Sequence, residues 1–280
     1  MRSVKLFVAA GAASLLSSMA FAADLAIAPP PMPYGAPVAD FGGWYLRGDI
    51  GMTNQKLKSL DNPGNLSAPL FTSTGIGFDS AALFDLGVGY QFNNWFRADV
   101  IGQWRGRANF HGSQYAPVGV FGPTFTEADN YSGSKSEAVV LANAYFDLGT
   151  WWCVTPYIGA GIGGSYNRIS GFRDDGVIFN GGLLSNSVTY AGDAGKWNFA
   201  WALHAGLAYR VTPNVTIDLG YSYMNLGDAV TGATNSFDGV TVVNGSQFVM
   251  RNITSNDFKL GVRWNLNNPP LYAPPLVTKG

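Results

Sequence analysis

Apolar and polar side chains alternate strictly along several stretches of the chain. Residues 215–226 show the pattern well, with one apolar row made of Val215, Ile217, Leu219, Tyr221 and Tyr223. The opposite row holds Thr216, Asp218, Gly220 and Ser222. An extended strand points successive side chains to opposite faces, whereas a helix needs a period of about 3.6 residues. The pattern therefore predicts a β-strand with one apolar face.

Eight segments of the chain alternate in this way. They span residues 44–52, 82–92, 95–107, 137–148, 155–166, 197–210, 215–226 and 256–266. Their lengths suit strands that cross an outer membrane, which need about 9–11 residues each. A soluble β-sandwich alternates as well, so the pattern alone leaves both architectures open.

The connections between these segments decide between the two. Short links at 93–94, 149–154 and 212–214 alternate with long ones at 53–81, 108–136, 167–196 and 227–251. Structureless loops longer than about 15 residues are uncommon in compact soluble domains. Short turns on one side and long loops on the other are typical of outer-membrane barrels. We therefore predict an all-β fold, an eight-stranded antiparallel up-and-down transmembrane β-barrel with long extracellular loops.

The tryptophans fall into two groups along the predicted strands. Five lie near the periplasmic rim: Trp44, Trp95, Trp151, Trp152 and Trp264. Three lie towards the outer rim: Trp104, Trp197 and Trp201. Because amphipathic rings favour the boundary between lipid and water, we interpret these residues as two interface belts.

The ends of the chain differ from the predicted barrel. Arg2 and Lys5 precede an apolar run at 6–16, and Ala20-Phe21-Ala22 has the form of a signal-peptidase site. A membrane anchor is the alternative, but the run is short for a spanning helix. We predict a signal peptide at 1–22 cleaved after Ala22, a Pro-rich periplasmic leader at 23–43, the barrel at 44–266 and a Pro-rich extension at 267–280.

Composition excludes several function classes. Only 12% of the 280 residues are charged, and removing Arg2 and Lys5 from the 17 basic residues leaves 15 against 18 acidic ones. This balance offers no basic patch for nucleic acid. Cys153 is the single cysteine, so an intramolecular disulfide cannot form. With two histidines besides, the chain is a poor basis for a zinc site, and we expect no cofactor.

The first and last predicted strands carry a family resemblance. The segments GWYLRGDIG at 43–51 and DFKLGVRW at 257–264, with the signal peptide and the Pro-rich leader, resemble the opacity-type outer-membrane surface antigens of alphaproteobacteria. The resemblance implies a bacterial outer-membrane location and a structural, surface-exposed protein of the antigen or adhesion type, which supports envelope integrity and displays its loops. It also implies three partners: outer-membrane lipid and lipopolysaccharide, the assembly machinery, and an extracellular ligand held by the loops. Members usually end on a terminal aromatic residue of the last strand, whereas 14 residues follow Leu266 here.

The interior rows of the predicted barrel are rich in charges of both signs. The basic residues are Arg47, Arg97, Arg105, Arg210, Lys259 and Arg263. The acidic residues are Asp49, Asp85, Asp99, Glu137, Asp147, Asp218 and Asp257. Since buried charges need partners, we expect an ion-pair network that fills the lumen, with Arg210 and Asp218 pairing across a short turn.

A narrow channel for ions or small solutes is the alternative function. Glycines in the interior rows, such as Gly87, Gly159 and Gly206, leave space that charged side chains need not fill. Eight strands nevertheless enclose a lumen just wide enough for side chains or one small ligand, which favours the filled barrel.

Catalysis is a third class, and two histidines bear on it. His111 lies beyond the third strand with Ser113 nearby, and His204 points into the lumen. Neither belongs to a motif that fixes a nucleophile, a base and an orienting acid. We therefore expect a protein that is not an enzyme.

The long loops carry signals for further strands. Asn244-Gly245 stands between β-forming residues, which is a strong signal for a two-residue hairpin turn, and Gly181-Gly182 is a weaker one. We predict that strands continue beyond the membrane as hairpins.

Overall fold

The computed structural model describes residues 42–64 and 70–266. The predicted signal peptide, all but the end of the predicted leader, and the C-terminal extension lie outside these ranges. These two ranges contain thirteen strands: β1 (Gly43–Lys56), β2 (Ser59–Asp61), β3 (Thr72–Phe78), β4 (Ala81–Gln91), β5 (Phe96–Ala116), β6 (Phe125–Asp147), β7 (Val154–Asn180), β8 (Leu183–Ala191), β9 (Ala194–Arg210), β10 (Val215–Val230), β11 (Thr234–Phe237), β12 (Val242–Gly245) and β13 (Val249–Asn265). Within the described ranges, no helix is long and apolar enough to cross a membrane.

Eight of the strands form a closed ring. The order is β1, β4, β5, β6, β7, β9, β10 and β13, each paired antiparallel with the next. The ring closes where β1 pairs with β13, from Tyr45 opposite Asn265 to Lys56 opposite Thr254. Each predicted segment coincides with one of these strands to within a residue or lies inside it. The predicted eight-stranded barrel is confirmed.

The outer surface of the ring is apolar along a belt and polar beyond it. On β1, the outward side chains Ile50 and Met52 are exposed, and the next outward positions are Asn54 and Lys56. On β10 the inward side chains also change, from Ser222 to buried Met224. At this level the outward side chains become polar and the inward ones become apolar, which marks the edge of the membrane belt.

The strands continue past this edge and build a second layer at the long-loop end. β7 is 27 residues long, pairing with β9 through residues 154–169 and with β8 through residues 173–180. β8 also pairs with β11, and β11 with β12. We call residues 173–180 of β7 together with β8, β11 and β12 the outer sheet.

The hairpin predictions have two different outcomes. β7 and β8 form a hairpin around Gly181 and Gly182, whose positive φ values of 59° and 91° suit a tight turn, so this prediction is confirmed. The turn predicted at Asn244-Gly245 is wrong, because both residues lie in β12. The hairpin of β11 and β12 turns instead at Asp238, whose carboxylate accepts hydrogen bonds from the backbone N–H groups of Val240 and Thr241 at 2.9 and 2.7 Å.

Candidate functional site

The lumen near the short turns is occupied by an ion-pair network centred on Tyr145. Arg47 binds Asp49 at 2.9 Å and Asp99 at 3.0 Å, and it donates to the Tyr145 hydroxyl at 2.9 Å. Arg97 binds Asp147 at 3.2 Å and lies over the Tyr145 ring, with its guanidinium carbon 4.1 Å from the ring centroid. We call these residues the lower ion cluster.

Two further ion pairs line the same part of the lumen. Lys259 binds Asp85 at 3.0 Å, and Arg263 binds Asp218 at 2.6 Å. The predicted pair of Arg210 and Asp218 is wrong. Arg210 is exposed at the end of β9, so water solvates its guanidinium, and Asp218 is held by Arg263 instead.

A second network lies nearer the long loops, around the fully buried Arg105. The Arg105 guanidinium binds Glu137 at 3.0 Å and also contacts Asp257, while Lys135 contacts Glu137. Gln55 accepts a hydrogen bond from Lys135 at 2.8 Å and donates one to Glu137 at 3.1 Å. We call these residues the upper ion cluster.

Lys135 is missing from the sequence-based set of lumen charges. The alternation places Lys135 in the second long loop, because the apolar outward row ends near Ala138. β6 continues in register with β7, however, while β5 carries a bulge opposite this point, so Lys135 is buried two positions from Glu137. The inward positions Lys135, Glu137 and Val139 continue the alternation by themselves. Lys135 could therefore be recognised as a lumen residue if the intervening outward residues are not required to be apolar.

Tyrosine rings fill the space that the inward glycines leave. A Cβ atom added at Gly159 would lie 2.5 Å from the Tyr145 ring, and one added at Gly206 would lie 2.5 Å from the Tyr157 ring. The cavity that borders the lower ion cluster has a volume of about 10 Å³, which is room for about one water molecule.

Apolar side chains seal the lumen at the long-loop end. Met224, Leu226, Leu141 and Ile253 are buried within the ring, alongside the upper ion cluster. Beyond them lie five aromatic residues, which we call the aromatic cap: Phe78, Phe110, Tyr131, Phe172 and Phe248. The ring centroids of Phe172 and Phe248 are 4.9 Å apart, and those of Tyr131 and Phe248 are 5.7 Å apart.

One buried and one half-buried carboxyl group, those of Asp174 and Asp129, border the aromatic cap. Burial raises the pKa of Asp174 to about 8, and the neighbouring charge of Asp129 adds to the rise. Burial likewise raises the pKa of Asp129 to about 7, with a contribution from Glu127. A carboxyl whose pKa is higher in the folded state than in the unfolded chain favours folding when it is protonated. Their contribution to stability is therefore present below pH 4 and is lost as the pH rises to about 8.

The two histidines occupy very different surroundings. Buried His204 hydrogen-bonds through Nδ1 to the Ser222 hydroxyl at 2.8 Å and through Nε2 to Asn143 at 3.1 Å. Exposed His111 has its Nδ1 3.7 Å from an Asp79 oxygen. The nearby Ser113 hydroxyl donates to Asn130 at 2.7 Å. Across residues 42–64 and 70–266, no group of three or more His, Cys, Asp or Glu residues is placed to hold a metal ion.

The tryptophans lie on the outer surface of the ring. Seven are exposed: Trp44, Trp95, Trp104, Trp151, Trp152, Trp197 and Trp264. Trp201 is partly covered by the Tyr223 ring, with 5.8 Å between the ring centroids. Those at the short-turn end are Trp44, Trp95, Trp151, Trp152 and Trp264.

The outer sheet exposes apolar side chains and an open edge. β8, β11 and β12 contain no charged residue, and all four residues of β12 are exposed. Leu183 and Val240 are 78% and 87% exposed. β12 pairs with β11 on one side, and its other side faces no described strand. This part of the surface therefore combines free backbone groups with uncharged side chains.

The chain is similar to several known proteins. A family model described as an outer membrane protein beta-barrel domain matches residues 8–265. A Brucella suis protein of unassigned function is 33% identical over 227 residues, which cover 75% of this chain and 76% of that protein. A candidate adhesin of Rickettsia prowazekii is 27% identical over 229 residues, covering 80% of this chain and 87% of that protein. The crystal structure of Neisserial surface protein A is 20% identical, covers 80% of this chain and 97% of its own, and aligns with a TM-score of 0.42.

The family match confirms the predicted location in the bacterial outer membrane. It also confirms the family resemblance that the first and last strands carry. The match extends over nearly the whole of the described barrel. The chain belongs to the family of outer-membrane β-barrel proteins.

Proposed function

We propose that the barrel is a closed anchor and that the outer sheet binds an extracellular protein, as an adhesin does. The observation that carries the proposal is the uncharged, exposed edge formed by β12. An open strand edge pairs readily with other chains, and proteins usually protect such edges with charges, prolines or bulges. β12 has none of these in its sequence VVNG.

The chemistry of this edge defines the partner. An extended peptide segment can add to an open edge through backbone hydrogen bonds, with alternate side chains seated on the sheet. Val242 and Val243 point to opposite faces of β12, and both are exposed. A partner with an accessible, apolar extended segment therefore fits best. The adhesin name of the Rickettsia relative supports this type of role.

The filled lumen favours a binding function at the cell surface over conduction or catalysis within the barrel. The two ion clusters, the tyrosines and the aromatic cap occupy the interior at successive levels. His204 is engaged by Ser222 and Asn143, which leaves it no free nitrogen for a substrate.

Charges placed on the β12 edge should abolish attachment. We expect Val242→Lys with Val243→Lys to lower the attachment of bacteria to epithelial cells to the level of a strain without the protein. Lysine blocks edge pairing and costs little in an exposed strand. The measurement is the number of attached bacteria, with surface display quantified by an antibody against the barrel.

Val118→Lys is the matched control, because Val118 is 63% exposed in the second long loop. It should leave attachment unchanged. Full attachment by the β12 variant, displayed at the normal level, would refute the proposed role of the edge.

A further inference from the structure

Three carboxyl groups lie at successive levels on the inner face of the strands that build the long-loop end. Glu127 and Asp129 share a face of β6 with the capping residue Tyr131 and are half-buried, and Asp174 on β7 is 9% exposed. Asp174 lies opposite Tyr131, and Asp129 lies opposite Gly176 one level further out. The three groups therefore descend from the outer end of β6 to the aromatic cap. We call them the acidic row.

The acidic row has no cation to balance it. The Oδ1 atom of Asp174 is buried and has no hydrogen-bond partner. Across residues 42–64 and 70–266, none of the three side chains forms an ion pair or a hydrogen bond. Arg173 precedes Asp174 on β7 but points to the opposite face, where it binds Asp175 at 2.6 Å. Because a buried carboxylate without a partner is costly, the row favours a proton or a bound cation.

The residues that face the acidic row from the neighbouring strands are uncharged. Gln114 on β5 lies opposite Asp129, and Thr189 on β8 lies opposite Asp174. Ser187 on β8 occupies the level between them. The walls of the row thus supply polar groups but no charge that could replace a cation.

Gly176 keeps the middle of the row open. A Cβ atom added there would lie 3.0 Å from an Asp129 carboxylate oxygen and would collide with the Ser187 hydroxyl. Without that side chain, the carboxylate and the hydroxyl both reach the space above the Gly176 backbone. Together they offer hydrogen-bond acceptors to a ligand that carries N–H donors.

The spacing of the row defines the shape of the cation. Same-face positions on a strand are about 6.8 Å apart, from a rise of about 3.4 Å per residue. In the part of the chain that the structure describes, no three acidic residues are placed to hold one metal ion, so a compact ion does not match the row. Amines separated by four methylene groups lie about 6 Å apart in an extended chain of ordinary bond lengths. A linear polyamine therefore matches both the number and the spacing of the carboxyl groups.

We propose that the acidic row binds a linear polyamine from outside the cell, with one amine against each carboxyl group. The innermost ammonium group binds Asp174 beside the Tyr131 ring, since aromatic faces attract organic cations. The outer ammonium groups bind Asp129 and Glu127. The site uses no residue of β12 and does not depend on the proposed adhesion.

Protons compete with the polyamine for the same carboxylates. Burial raises the pKa of Asp174 to about 8, that of Asp129 to about 7, and that of Glu127 above its ordinary value. Tyr131 faces them as well, and burial raises its pKa, which keeps the hydroxyl uncharged. Since a protonated carboxyl group does not attract an ammonium group, the affinity for a polyamine should fall as the pH drops through these values.

The test is a calorimetric titration of the full-length, folded protein with the triamine spermidine. We expect Asp129→Asn with Asp174→Asn to weaken binding about a hundredfold, since each charge-assisted contact contributes about tenfold or more. Asparagine keeps the side-chain shape and removes the repulsion between the carboxylates, so the variant should fold. Asp175→Asn is the matched control, because Asp175 lies on the same strand but binds Arg173 on the opposite face. It should bind spermidine normally.

Two further titrations test the charge and the shape of the ligand. Spermidine should bind the unaltered protein about tenfold more weakly at about pH 5.5 than at about pH 8. The monoamine butylamine should bind about a hundredfold more weakly than spermidine, since it makes one of the three charge-assisted contacts. Normal affinity in the double variant, an equal loss in Asp175→Asn, or equal binding at both pH values would overturn the proposal. Equal affinity for butylamine and spermidine would overturn it as well.

Discussion

Arg105→Met will lower the free energy of unfolding by about 3–5 kcal/mol, because it leaves the buried Asp257 carboxylate without its cation. Arg105 is fully buried, and Asp257 has no other cationic partner among the described residues. Glu137 keeps Lys135. Methionine preserves most of the side-chain volume, so the loss comes mainly from the unpaired charge. Urea unfolding in lipid vesicles, followed by tryptophan fluorescence, measures it.

Two further variants separate charge from packing. Arg105→Met with Asp257→Leu removes both members of the pair and should lose less stability than Arg105→Met alone. Arg168→Ala removes a cation from an exposed pair and should cost less than about 1 kcal/mol. An equal loss in the single and double variants would show that the upper ion cluster does not stabilise the barrel through charge.

Phe172→Ala will destabilise the aromatic cap by about 3–5 kcal/mol, the usual cost of removing a buried phenyl ring. Phe172 is 1% exposed and lies against Phe110, Tyr131 and Phe248, with ring centroids 6.1, 5.9 and 4.9 Å away. Hydrogen exchange of the backbone amides in residues 125–135 and 169–180 measures the effect, because these segments pack on the cap.

Phe179→Ala is the matched control on the same strand. Its side chain is 42% exposed in the outer sheet, so truncation should change protection by no more than about 0.5 kcal/mol. If Phe172→Ala leaves exchange as slow as the control does, the cap does not hold the long-loop end together.

The barrel could be predicted from sequence because the membrane imposes a simple rule. Lipid covers one side of every strand, so a period of two persists through each crossing, as in β10 and β13. The closure of β1 on β13 then follows from the need to satisfy every strand edge within the membrane.

The rule fails where the strands leave the lipid. The alternation places Lys135 in a loop because the outward side of β6 is no longer apolar there, although the strand continues. Arg210 has the parity of an inward residue, but it lies at the end of β9, where water reaches the side chain. The alternation of residues along a strand predicts whether a side chain points inward or outward, but it does not predict how far that side chain lies from water.

Long-range pairing explains the remaining differences between the structure and what the sequence predicts. Asn244-Gly245 is a local turn signal, yet β12 pairs through these residues with β11, which in turn pairs with β8. The aromatic cap gathers Phe110, Phe172 and Phe248 from three separate connections. No local pattern brings such residues together, since their meeting depends on how the loops pack over the barrel.

We propose that side chains close the lumen and that the surface beyond the membrane carries the function. Planar-bilayer recording on the purified, full-length protein is the decisive test of this proposal. With the two ion clusters, the tyrosine rings and the aromatic cap in place, the protein should give the same baseline current as an empty bilayer. Stable, reproducible conductance steps of uniform size would contradict the claim and would establish a narrow channel instead.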